Sequence, residues 1–215
     1  MIDLVLRSTT DTIYGKGSVA RVAELVKQHG GTRVLLHHVS EPFIQPLVNE
    51  VRSILEESGI YCADLGGVVP NPRISTVYEG IELCRRERID FLLPIGGGSS
   101  IDSAKAIALG VPYDGDVWDF FDLKAVPKTA LPLGVVSTFA ATGSESTKAT
   151  IVTKEEEQLK RGWEDDNDKI IIRPRFAILD PVLTFTAPRF QTASGTADII
   201  SHMCENYFSV DGDNE

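Results

Sequence analysis

Two groups of residues in this 215-residue chain have types and spacing that suit chemistry. The first is Gly96-Gly97-Gly98-Ser99, set between an apolar run at 90–95 and a segment of helical periodicity. Glycines let a backbone approach an anion closely, and the free N–H groups and partial positive charge of a helix N-terminus then favour that anion. Such a turn is either a phosphate cradle or a tight turn that binds nothing. It is neither GxGxxG nor a Walker loop, so neither of those classes follows. The second group is Asp198 and His202, four apart on a segment of helical spacing and so on one face. A carboxylate and an imidazole there can share one divalent ion, although the pair taken alone is more often a surface hydrogen bond. Beyond this pair no catalytic side chain is identifiable: the sequence has no GxSxG elbow, no HExxH and no Cys/His couple.

The elements that must position these residues alternate in type. Residues 33–37, 60–65 and 90–95 have strand length and apolar character. Between them, Phe43, Ile44, Leu47, Val48, Val51, Ile54 and Leu55 recur at helical spacing, as do Val77, Ile81 and Cys84 within 75–88. After the glycines, Ser99 or Ser100 is expected to cap a helix striped by Ile101, Ala104, Ile107 and Ala108. Residues 131–136 and 176–179 read as later strands. Residues 149–153 and 169–172 read as an antiparallel excursion joined by a charged loop over 155–168. Strands alternating with helices predict an α/β fold with a mostly parallel sheet covered on both faces.

Beyond Asp180-Pro181 the character changes. Pro188 suits a helix first turn, and Ala193, Ala197, Ile200, Cys204 and Tyr207 follow at helical spacing. The expected division is a nucleotide-binding domain over 1–186 and the start of a helical domain over 187–215. A lone amphipathic helix cannot bury its own apolar face, so the second domain is expected to be incomplete.

A net charge of −10, from 21 basic and 31 acidic residues, argues against nucleic acid as the partner. Apolar runs such as 91–95 are too short to span a bilayer, and the N-terminus lacks a basic start and an apolar stretch. Cys62, Cys84 and Cys204 form no CxxC pair and read as free thiols in a reducing compartment. A cytoplasmic protein without a membrane partner is expected.

Asn71-Pro72, the segment GGGSSIDSAK at 96–105, ATGSE at 141–145 and FAILDP at 176–181 follow one another in the chain. In that order they resemble the iron-containing (group III) alcohol dehydrogenases, whose first domain is Rossmann-like and shares the layout of dehydroquinate synthase. The resemblance covers essentially the whole chain, and VPYDGDVWDF at 111–120 is similar to the butanol-dehydrogenase branch. It implies a bound NAD or NADP, with Gly97, Gly98 and Ser99 at the pyrophosphate and Asp102 beside the nicotinamide. Thr138, Thr142 and Ser144 would line a second cofactor loop, and Lys160 matches a lysine near the cofactor.

The same resemblance makes Asp198 and His202 the first two ligands of a divalent metal, iron or zinc, which the family completes with further histidines. His29, His37 and His38 lie in or beside the first strand and helix of the other domain and do not suit that role. The implied activity is hydride transfer between nicotinamide and an alcohol or carbonyl carbon, on a small, butanol-type alcohol or aldehyde, with a homodimer possible. Two alternatives stay open: a non-catalytic nucleotide-binding fragment, and a polyol dehydrogenase or sugar-phosphate cyclase relative on the same fold.

Two positions depart from the family pattern. Many butanol-dehydrogenase-like members carry a glycine-rich turn where this chain reads HHVSEP at 37–42. Glu41 could accept the ribose 2′-OH of NAD and repel a 2′-phosphate, whereas His37 and His38 could serve NADP. Phe139 replaces a small or polar residue in the second cofactor loop.

Overall fold

The computed structural model describes residues 9–165 and 171–208. In chain order its elements are β1 (Asp11–Tyr14), α1 (Val22–Gln28), β2 (Arg33–His38), α2 (Gln45–Glu57), β3 (Tyr61–Leu65), α3 (Ile74–Glu87) and β4 (Phe91–Gly96). There follow α4 (Gly98–Gly110), the one-turn α5 (Trp118–Phe121), β5 (Gly134–Ser137), β6 (Ala149–Lys154), β7 (Leu159–Glu164), β8 (Phe176–Leu179) and α6 (Arg189–Phe208). Six strands form a parallel sheet in the order β1-β8-β5-β4-β2-β3.

A parallel sheet is covered on both faces, so its central strands must be apolar on both. Every residue of β4 is buried. Val34, Leu36, Phe91, Leu93 and Ile95 point to one side with Val22 and Val26 of α1 and Val48 and Leu55 of α2. Leu35 and Leu92 point to the other, with Ile81 of α3 and Ile107 of α4. The chain steps outward from β2 to β3, then crosses to β4 on the other side of β2 and continues to β5 and β8. This reversal opens a crevice at the carboxyl ends of β2 and β4, where ligands of such sheets bind. The glycine turn lies there.

Several expectations change. β1 and α1 were not anticipated from the sequence, and β5 begins at Gly134, with Leu133 making only an isolated bridge to Leu92. The partner of β6 is β7, inside the stretch read as a charged loop, in register from Ala149 opposite Glu164 to Lys154 opposite Leu159. A hairpin closed by a short turn needs less chain ordering than a pairing across 155–168. Of the strand expected at 169–172, Lys169 and Ile170 lie outside the described residues, while Ile171 and Ile172 form a turn.

The cap of α4 is Gly97, with no side-chain cap, so Ser99 and Ser100 sit inside the first turn. Pro188 sits one residue before α6, where its carbonyl accepts the Thr192 N–H at 3.0 Å. The apolar stripe of α6 is exposed: among the helix's described residues only Gly195 is buried and Asp198 is intermediate.

Candidate nucleotide and metal site

At the carboxyl ends of the parallel strands lies a cleft of about 1170 Å³. It brings together all ten side chains and turn residues anticipated from the sequence: Gly97, Gly98, Ser99, Asp102, Thr138, Thr142, Ser144, Lys160, Asp198 and His202. They arrive from five places, namely the β4–α4 turn, the first turns of α4, the loop after β5, β7 and α6.

The glycines are needed for steric reasons. Gly96 has φ +156°, and a Cβ there would lie 2.6 Å from Ser100 Oγ. A Cβ on Gly98 would lie 2.7 Å from Thr142 Oγ1, so the turn and the second loop are in contact only because no side chain intervenes. With Gly97 as a bare cap, the N–H groups of Gly98 and Ser99 precede the first bonds of α4, which run from Ser100 and Ile101 to the Gly97 carbonyl, and both residues line the cleft. Such a terminus favours an anion.

One turn into α4, the Asp102 carboxylate accepts the Ser144 hydroxyl at 2.6 Å. Burial pushes the Asp102 carboxyl up, and the Ser144 hydroxyl and the Lys105 charge act against that shift. Lys105 is fully buried. Its ammonium donates to the carbonyls of Ser144 (2.7 Å), Ala149 (2.9 Å) and Thr147 (3.0 Å), with Thr147 Oγ1 at 3.1 Å and Ser144 Oγ at 3.2 Å. Burial lowers its pKa to about 8. Sequence reading passed over Lys105 as a site residue, yet the signal was there: a lysine within Ala104-Lys105-Ala106-Ile107-Ala108 has no solvent face to occupy.

The hairpin supplies the cleft's lysine. Lys160 on β7 donates to Asn71 Oδ1 at 2.7 Å, and Asn71 itself holds φ +58°. Asp180, from FAILDP, caps the short 3₁₀ turn Pro181–Thr186, accepting the Val182 N–H at 3.0 Å and the Gly17 N–H at 2.6 Å. That turn contributes Val182, Leu183 and Thr186 to the cleft wall.

At the β2 end, Glu41 faces the cleft and the two histidines do not. His37 is fully buried, its Nδ1 2.9 Å from the Leu65 carbonyl and its Nε2 2.8 Å from Ser103 Oγ. Burial lowers its pKa to about 4. His38 turns to Asp64 at 3.1 Å and to the Val39 carbonyl. Burial works against its charge, but Asp64 outweighs it and the pKa rises. Neither imidazole is available to a cofactor phosphate, which corrects the role considered for them. Phe139 lines the cleft and packs on two glycines, with its Cβ 3.3 Å from where a Gly97 Cβ would be and its Cζ 3.0 Å from that of Gly195.

On α6, His202 Nε2 lies 3.4 Å from Asp198 Oδ1, both side chains about half exposed. That spacing suits two ligands of one ion. Among the described residues, no cluster of three or more His, Cys, Asp or Glu completes such a site. The donor set therefore fits one edge of a divalent-metal site. Among the described residues no helix is long and apolar enough to cross a membrane, and Cys62, Cys84 and Cys204 are free thiols.

A family model for iron-containing alcohol dehydrogenases matches residues 9–181. A probable NADH-dependent butanol dehydrogenase of Bacillus subtilis is 44% identical over 93% of this chain and 50% of its own length. NADH-dependent butanol dehydrogenase A of Clostridium acetobutylicum is 41% identical over 93% of this chain and 50% of its own. The crystal structure of NADH-dependent butanol dehydrogenase A from Thermotoga maritima superposes with a TM-score of 0.89 at 35% identity, covering 96% of this chain and 51% of that one. The chain thus spans about half the length of the relatives it matches.

Proposed function

The chain belongs to the iron-containing alcohol dehydrogenases, and from that premise we propose that its cleft binds a nicotinamide dinucleotide for hydride transfer to or from a small, butanol-type alcohol or aldehyde. The observation that carries this reading is the convergence of the glycine turn, the loop after β5 and the Asp198–His202 pair on one cleft.

In this reading Gly97, Gly98 and Ser99 hold the pyrophosphate with backbone N–H groups at the α4 N-terminus. Glu41, at the β2 side, accepts the ribose hydroxyls, and the absence of a 2′-phosphate in NAD suits its charge. The nicotinamide lies toward α6, beside Asp102 and the hydroxyls of Thr138, Thr142 and Ser144, with Lys160 over the middle of the cleft. The nicotinamide ring supplies the hydride chemistry. Asp198 and His202 would hold a divalent ion, iron or zinc, that polarises the alcohol or carbonyl oxygen. The apolar wall of Val182, Leu183 and Phe139 limits water around the reacting carbon.

Residues 1–186 then form the nucleotide-binding domain and 187–215 begin the metal and substrate domain. We place the protein in the cytoplasm, and a homodimer is the assembly to test by light scattering. Calorimetry with NADH and NADPH, with and without Zn²⁺ or Fe²⁺, tests the binding reading. NADH is expected to bind more tightly than NADPH, and Glu41→Gly to narrow that difference. Absence of any nucleotide binding sinks the proposal. A second reading, a nucleotide binder without turnover, is favoured by the two-donor count at α6. Nucleotide binding with no butan-1-ol-dependent NADH formation would select it.

A further inference from the structure

Among its described residues, the helix that carries the Asp198–His202 pair has one buried residue, Gly195. A Cβ there would lie 2.9 Å from the Ala140 carbonyl oxygen and 3.0 Å from Cζ of Phe139. The other end of the same side chain rests on the glycine turn, with the Phe139 Cβ 3.3 Å from where a Gly97 Cβ would be. Phe139 therefore spans the gap between the turn and α6 from root to tip, and a glycine receives it at each end. Its root is held in place. The Thr138 N–H donates to the Gly96 carbonyl at 3.1 Å, and the Ser137 hydroxyl donates to the Phe139 carbonyl at 3.4 Å. A phenylalanine side chain has two rotatable bonds and a rigid ring, so what rests on the tip takes its position from the root.

We propose that Phe139 is a positioning residue, the seat that sets how far α6, and with it the Asp198–His202 pair, stands from the glycine turn. Gly195, Asp198 and His202 follow one another at intervals of three and four, so the seat and the pair share one face of the helix. The two side chains keep their own freedom; the seat fixes the helix that bears them. For its meaning the inference rests on the nucleotide and metal reading of the cleft. A transfer between the two ends depends on their separation, and a misplacement of about 1 Å can cost about 100-fold in rate.

Leucine and methionine separate reach from bulk, since their volumes are similar and methionine alone extends toward the far edge of the ring. A pair of nitroxide labels reads the helix position without any ligand. One label sits on the exposed Cys204 of α6 and the other at Glu57→Cys on the exposed end of α2, with Cys62→Ser removing the half-buried thiol. In Phe139→Leu the distance between labels is expected to broaden and to shift by about 1–2 Å, the scale of helix shifts at packed interfaces. Phe139→Met is expected to restore it. Gly195→Ala is expected to displace α6 while circular dichroism keeps its helix content, because alanine is the better helix former. ADP-ribose affinity, read by calorimetry, is expected to hold within about twofold in all three variants, as for independent sites.

A distance unmoved by Phe139→Leu overturns the inference. Equal shifts in the leucine and methionine variants overturn it as well, because they mark bulk rather than reach. A severalfold fall in ADP-ribose affinity in step with the shift marks collapse of the glycine turn, a merely structural role, and has the same force. If Phe139→Leu does not fold, Gly195→Ala decides, since a helix that stays in place there needs no seat. Failure of the unaltered protein to bind ADP-ribose removes the nucleotide reading, whereas the distances, taken without ligand, still decide the seat.

Discussion

Around the glycine turn, groups that face the cleft are backed from within. Gly98 rests on Thr142, Asp102 on Ser144, and Ser144 on a lysine with no solvent exposure. At the α6 end, Asp198 and His202 project from a helix whose described residues are exposed except for Gly195 and, in part, Asp198, and their partners are each other. Preorganisation differs accordingly. A site held by buried hydrogen bonds arrives in its working geometry, whereas a pair of exposed side chains gains its geometry from the ion or chain that meets it. The glycine-turn end is thus part of the fold's stability, and the Asp198–His202 pair is nearly separate from it.

The sharpest way to break this contrast is Lys105→Met. Buried carbonyls of Ser144, Thr147 and Ala149 would lose their donor, and a cost of about 3–5 kcal/mol is expected, read from the urea midpoint. A loss under about 1 kcal/mol would show the glycine-turn end to be no better anchored than α6.

Next in size is acid. His37 is buried as a neutral ring with its pKa lowered from 6.5 to about 4. The unfolded chain binds the proton more readily than the folded one between those values. The contribution is therefore complete above pH 6.5 and is lost as pH falls toward 4, about 3 kcal/mol in all. Urea midpoints from pH 7 to pH 4 should fall more steeply in the unaltered protein than in His37→Gln; identical slopes would contradict the assignment.

Gly98→Ala should weaken NADH about 10–100-fold through the clash with Thr142, a cost of about 1–3 kcal/mol, and calorimetry measures it directly. The smallest effect is expected at α6. His202→Ala should change stability by less than about 0.5 kcal/mol, because the pair is exposed, and leave NADH affinity within about twofold. Divalent-metal binding should be lost in the same variant. A large stability loss there would erase the difference between the two ends.

Much of the sheet was legible because its central strands carry unbroken apolar runs that only a doubly covered sheet can use, as in 91–95. The outer elements were not. β1 reads DTIY with two polar residues and sits at the sheet edge, exposed along most of its length, so periodicity gave no sign of it. β7 reads LKRGWE, and only Trp163 is buried, so a charged hairpin strand passed for a loop. All ten candidate site residues meet in one cleft. What linear spacing could not reveal was direction: His37 and His38 are turned away from the cleft, toward Ser103 and Asp64.

One pairing governs when the fold can close. β1 lies beside β8, Asp11 opposite Phe176 and Tyr14 opposite Leu179, so one edge of the sheet is made by segments from far apart in the sequence. During synthesis β1 must wait for β8, its partner among the described strands, because loop closure over such a separation comes before any reward from contact. Asp180, the residue after β8, then ties Gly17 to the completed edge. Until β8 is made, β5 is left with an open edge on that side of the sheet, of the kind that pairs with other chains.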